Sequence, residues 1–123
     1  MGQPPISEEM KAWATALAAE TADWPSLSQR SFFGFTALYR GEKIFAMLPR
    51  SRNLENANTI AFKIETLPTN LRNRLAEDGR IGSIQEGNST WRTFLLSSNA
   101  DLHDALDWIR RAYTAAGKRK KST

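Results

Sequence analysis

The stretch from Arg30 to Pro49, R-S-F-F-G-F-T-A-L-Y-R-G-E-K-I-F-A-M-L-P, constrains the fold more than any other part of the chain. Two apolar runs flank Arg40-Gly41-Glu42-Lys43, and this pattern reads as a β-hairpin. Phe32, Phe33, Phe35 and Phe45 fall within it, four of the six phenylalanines. The first strand is expected over residues 30–40, with Gly34 marking a bulge or a close backbone approach. Phe33, Phe35, Ala37 and Tyr39 then share one side, with Phe32 and Leu38 on the other. The second strand, residues 43–48, alternates Ile44, Ala46 and Leu48 against Phe45 and Met47. A half-solvated antiparallel sheet normally alternates apolar with polar residues. Both strands are therefore either central and covered on both sides, or turned towards a partner. In the central case Phe33, Phe35, Ile44 and Phe45 are all buried.

Elements to pack on this hairpin can be read on either side of it. Ser7 is a good N-cap, and Glu8 and Glu9 complement the dipole of a helix that follows. Ile6, Met10, Trp13, Ala14, Leu17 and Thr21 recur at helical spacing, and Pro25 closes the element. Residues 49–58 read as a polar loop carrying Arg50 and Arg52. A third strand over residues 59–64 alternates, with Ile60, Phe62 and Ile64 inward. A second helix starts near Pro68 and places Leu71 and Leu75 on one face. A weak edge strand over residues 80–86 and a strong one over residues 90–97 follow, the latter with Trp91 and Leu95 opposite Phe94 and Leu96. The last helix opens on a Ser98-x-x-Asp101 capping pattern. It buries Leu102, Ala105, Leu106, Ile109, Ala112 and Tyr113, leaves Trp108 on the flank and stops at Gly117. The order α-β-β-β-α-β-β-α predicts a two-layer α+β domain over residues 1–117, a five-stranded antiparallel sheet with helices on one face.

Composition narrows the function classes. The chain has no cysteine, so thiol catalysis, disulfides and thiolate zinc sites are excluded. No apolar run approaches the roughly 20 residues of a membrane span. Met1 to Pro5 lacks the regions of a signal peptide, and a cytoplasmic protein with no membrane partner is expected. Of the 17 basic residues, Lys118, Arg119, Lys120 and Lys121 form a terminal tail; the remaining 13 balance the 13 acidic ones. The tail over residues 118–123 is expected to be disordered, and the body before it is neutral.

The hairpin F-F-G-F-T-A-L-Y-R-G-E-K-I-F-A-M-L-P resembles the opening hairpin of the TfoX N-terminal domain and of the MmcQ/YjbR family. Trp91 at the start of the last strand, followed by D-L-H-D-A-L-D-W-I-R-R-A-Y, is similar to that family's closing strand and helix. The resemblance covers roughly residues 30–115. It implies a YjbR-like fold, akin to that of type III secretion chaperones, and a link to DNA through a double-wing-like surface. No counterpart of the further C-terminal domain of TfoX-type proteins is expected, so a competence role does not carry over.

No motif for nucleotide binding, nucleophilic catalysis or zinc is present. His103 and Asp107 are four apart on one helix and could share an ion. Aspartates in a first helical turn are accounted for by the macrodipole, and Asp107 can pair with Arg111. No catalytic residue, metal ligand or cofactor is therefore expected, and the protein reads as non-enzymatic. Two binding readings remain. Nucleic-acid binding draws on Tyr39, Arg40 and Lys43 at the hairpin tip, Arg50 and Arg52 on the next loop, and Lys118, Arg119, Lys120 and Lys121 in the tail. Protein association, as a homodimer or with a partner, draws on the two-sided strands and on Trp91 and Trp108.

Overall fold

The structure is a computed structural model and describes residues 6–51, 54, 57–64, 68–83 and 91–117. It is an α+β fold in which three helices accompany one antiparallel sheet. The elements run α1 (Glu8–Thr21), β1 (Leu27–Phe32), β2 (Phe35–Arg40), β3 (Lys43–Pro49), β4 (Thr59–Lys63), α2 (Thr69–Glu77), β5 (Ile81–Ser83), β6 (Trp91–Leu95) and α3 (Asp101–Gly117). The sheet has six strands in the order β1-β2-β3-β4-β6-β5, not the expected five.

The additional strand arises where one long strand was expected. The chain reverses at Phe33-Gly34, and Phe32 pairs with Phe35 across a two-residue turn. Both turn residues have positive φ, 50° at Phe33 and 88° at Gly34, as a type I′ hairpin turn requires. Gly34 is therefore a turn residue. The bulge lies further on, where the β2–β3 register shifts between Leu38 and Tyr39: Leu38 faces Ala46, but Tyr39 faces Ile44. That shift brings Phe45 into the same core as Ala46 and Leu48, and the expected simple alternation is lost.

The helices pack on one side. Met10, Trp13, Ala14 and Leu17 of α1, Leu75 of α2 and Ala105, Trp108, Ile109 and Ala112 of α3 form one core with Leu38, Phe45, Leu48, Ile60, Phe62 and Phe94. The α1 stripe is as the spacing predicts, and the Ser7 hydroxyl accepts from the Met10 N–H at 3.0 Å as its N-cap. Trp13 Nε1 donates to Asn99 Oδ1 at 2.7 Å and ties α1 to the approach of α3. In α3 the Asp101 carboxylate accepts from the N–H groups of Ser97 and Ser98, at 2.7 and 3.2 Å. The α3 stripe is turned from its expected centre. Trp108 is only 5% exposed and stacks on Phe62, with ring centroids 5.7 Å apart. It is a core residue of the monomer and not an exposed flank.

Candidate binding surface

The opposite face of the sheet carries no helix among the described residues. Its middle row, read from the strand register, is Arg30, Ala37, Met47, Ala61, Thr93 and Gly82. One flanking row holds Phe32, Phe35, Pro49, Thr59 and Leu95; the other holds Ser28, Tyr39, Ile44, Lys63 and Trp91. Ala37 and Ala61 are buried but stand apart from the helix-side core, because larger neighbours shield them within the face. Phe35, Tyr39, Ile44, Met47 and Trp91 are half-buried, while Phe32 and Leu95 are 44% and 40% exposed. The face is thus a middle row in which Met47 stands between the small Ala37 and Ala61, with Arg30 at its β1 end, flanked by two rows that are mostly large and apolar but include Ser28, Thr59 and Lys63. The expectation that Phe33, Phe35, Ile44 and Phe45 are all buried holds for Phe45 alone.

At one corner of this face the β1–β2 turn projects Phe33, which is 73% exposed and meets Phe32 edge-on at 4.7 Å. The turn is braced from β3: the Gly34 carbonyl accepts from the Arg50 and Ser51 N–H groups at 3.0 and 2.9 Å. The Arg50 side chain donates to Ser31 Oγ at 2.5 Å. Arg30 lies over the Tyr39 ring at 4.6 Å. Charge is segregated here. None of the six strands contains an Asp or Glu, although Arg30, Arg40, Lys43, Lys63 and Arg92 all sit on strands. The neutral total conceals this, because the described carboxylates lie on the helices and turns.

The candidate nucleic-acid residues do not converge. Tyr39 is on the helix-free face. Arg40, its neighbour, points to the other side, where its guanidinium donates to the Tyr113 carbonyl at 3.1 Å and covers the Tyr113 ring at 4.1 Å. Lys43 is exposed at the start of β3, at the opposite end of the hairpin from Arg50. Arg52, Lys118, Arg119, Lys120 and Lys121 lie outside the described residues. Of the two candidate interface tryptophans, Trp91 is on the helix-free face and Trp108 is in the core. Sequence reasoning missed Phe32, Phe33 and Arg30 as surface features. The absence of acidic residues from both expected hairpin strands, residues 30–40 and 43–48, was the signal available for Arg30.

The aspartates near His103 are engaged elsewhere. Arg80 bonds Asp78 at 2.8 Å, Asp101 at 2.9 Å and Asp104 at 3.1 Å. The Arg80 side-chain hydrogen bond is the main cause that holds the Asp78 carboxyl below its ordinary range, against the opposing effect of burial. The Ser97 N–H, with Arg80 adding, does the same for Asp101. Arg80 itself is shifted further up, chiefly by its hydrogen bond to Asp78. Asp107 pairs with Arg111 at 3.4 Å. No group of three metal-ligating side chains is found among the described residues. A shallow cavity of about 350 Å³ between α2 and α3 is lined by Ile64, Leu71, Asp107, Arg110 and Arg111. Its cations are already used, Arg111 by Asp107 and Arg110 by the Trp24 ring at 4.7 Å. No described helix is long and apolar enough to cross a membrane.

No family model matches the chain, nor does any curated protein or solved structure.

Proposed function

We propose that this chain is a non-enzymatic binding module, acting through protein association on the helix-free face of its sheet. The single observation that carries this reading is the apolar face itself, formed around Ala37, Met47 and Ala61 with no helix over it among the described residues. Contiguous apolar surface of this kind marks interaction sites. The hairpin's resemblance to the YjbR and TfoX N-terminal domains implies a compact domain of that type and, through their link to DNA, the alternative of a nucleic-acid-binding regulator.

Magnitudes favour a protein over nucleic acid. Among the described residues the three rows of the face hold two cations, Arg30 and Lys63, while the Arg50 side chain at its corner is engaged by Ser31. Two phosphate contacts give a slope of log affinity on log salt of only about −1.4 for a single strand. That is too little to anchor a dedicated nucleic-acid surface, whereas the apolar rows provide the desolvated contacts of a protein interface.

The test is light scattering after size exclusion, over a range of concentrations and with and without DNA or RNA, on the wild type and on Met47→Glu. A charge at Met47 is costly on a desolvated interface. Expected is a wild-type species larger than the monomer, alone or with its partner, that Met47→Glu abolishes while the fold survives. A complex with nucleic acid that Met47→Glu leaves intact overturns the reading.

A further inference from the structure

We propose that the free edge of β1 accepts an extended, acidic strand from a partner protein, lengthening the sheet beyond β1. The proposal rests on the binding-module reading and names the partner's chemistry. Among the described residues β1 pairs only with β2; the Leu27 N–H on its outer edge is taken by the Trp24 carbonyl at 3.1 Å, and the edge groups of Gln29 and Ser31 beyond it have no backbone partner. Proteins usually guard such an edge with proline, charged side chains, a bulge or a covering segment, and of the first three β1 has only the charge of Arg30. Here the strand reads Leu-Ser-Gln-Arg-Ser-Phe, is exposed from Gln29 to Phe32, and keeps a regular register against β2 over its whole length. The opposite edge, β5, runs only from Ile81 to Ser83. β1 is therefore the long, regular edge of the sheet.

Two further observations lie at the end of that edge. Phe33 holds φ at 50° with its ring in solvent, a backbone state that bulky residues avoid. A fold that needed only the turn would have asparagine there. The strained, exposed aromatic pair Phe32–Phe33 is accounted for if an apolar side chain of a partner covers it. Arg30 and Arg50 flank the pair, and β1, the turn and β2 contain no carboxylate. An incoming strand that alternates acidic and apolar residues matches both features, with backbone bonds to the edge, carboxylates towards the arginines and an apolar contact at the tip.

A second copy of the chain fits less well. In a two-fold pair of β1 strands that keeps the helices of both copies on one side, the longest overlaps centre on Gln29 or on Arg30. The first sets the two Arg30 side chains diagonally across the pair and the second sets them directly opposite, and like charges so placed repel. Nucleic acid cannot supply the alternating amide and carbonyl groups that complete a β-ladder.

The experiment is amide chemical-shift mapping on the isotope-labelled full chain. The probes are a short peptide alternating glutamate with valine, the same peptide with lysine for glutamate, and vesicles of anionic phospholipid. Expected is that the glutamate peptide moves the amides of residues 28–32. Arg30→Glu, a change at an exposed position that gives up only the contact over the Tyr39 ring, should lower the thermal midpoint slightly, weaken that peptide about tenfold or more and favour the lysine peptide. Equal binding of both peptides overturns the charge selection. Shifts confined to Ala37, Met47 and Ala61 overturn the edge proposal while upholding the helix-free face. Movement of β1 amides by vesicles and by neither peptide assigns the tip to a lipid surface and overturns it as well.

Discussion

The guanidinium of Arg40 lies 4.1 Å from the centre of the Tyr113 ring and donates to the Tyr113 carbonyl. This contact fastens the end of β2 to the last turns of α3, where the helix dipole favours a cation. Gly117 belongs to the same arrangement, because a Cβ there would overlap the Arg40 guanidinium. Arg40→Ala should cost about 1–2 kcal/mol through lost packing and a lost hydrogen bond. Gly117→Ala should then gain about 0.5–1 kcal/mol of helix propensity in the Arg40→Ala background and nothing in the wild type. Denaturant unfolding of the four proteins measures the coupling, and simple additivity would contradict it.

Phe45 and Phe33, which belong to separate aromatic contacts, should respond oppositely to mutation. Phe45 is fully buried against the Tyr113 ring, 5.5 Å away, and Phe45→Ala should cost about 3–5 kcal/mol. Phe33 is exposed in a left-handed conformation, so Phe33→Asn should stabilise by up to about 1 kcal/mol. Thermal and chemical unfolding check both, and a destabilised Phe33→Asn protein would show that the ring packs within the monomer.

Trp108 should behave as core. Trp108→Ala is expected to cost about 3–5 kcal/mol, and Trp108→Glu to prevent folding altogether. A folded Trp108→Glu protein, observed by circular dichroism, would return this residue to the surface.

The Arg80 cluster gives a pH signature. Asp78 and Asp101 have folded-state pKa values below their ordinary ones. Their stabilisation is therefore present above the unfolded carboxylate value, about pH 4, and is lost as pH falls through the folded values. Arg80→Met should destabilise by about 1–2 kcal/mol at pH 7, a figure reduced for the partial exposure of Arg80. The difference from wild type should shrink below about pH 4 as the carboxylates protonate. Asp101 retains its bonds from Ser97 and Ser98, so Asp78 carries more of the change. A difference that stays constant from pH 7 to pH 3 would contradict this assignment.

What could be read from the sequence follows the regularity of each element. α1 and the inward positions of β4 repeat at fixed spacing, and their buried residues were legible. The hairpin misled because Phe33 occupies a conformation that bulky residues avoid, so its turn looked like continuing strand. The bulge then placed Phe45 with Ala46, which no period predicts. Trp108 entered the core because Phe62, on a strand read separately, offers it a stacking partner. The surface was legible only in part. A neutral total hides strands without carboxylates, and Arg40 looked free because its partner lies 73 residues away in the chain.

The helix-free face can be tested most directly by site-specific photo-crosslinking in the cells that make the protein. A photoreactive residue would replace Met47, at the centre of that face, or Thr15, on the exposed side of α1. The account predicts discrete protein adducts from position 47 and none from position 15. Adducts from position 15 alone, or nucleic acid as the species captured at position 47, would contradict it.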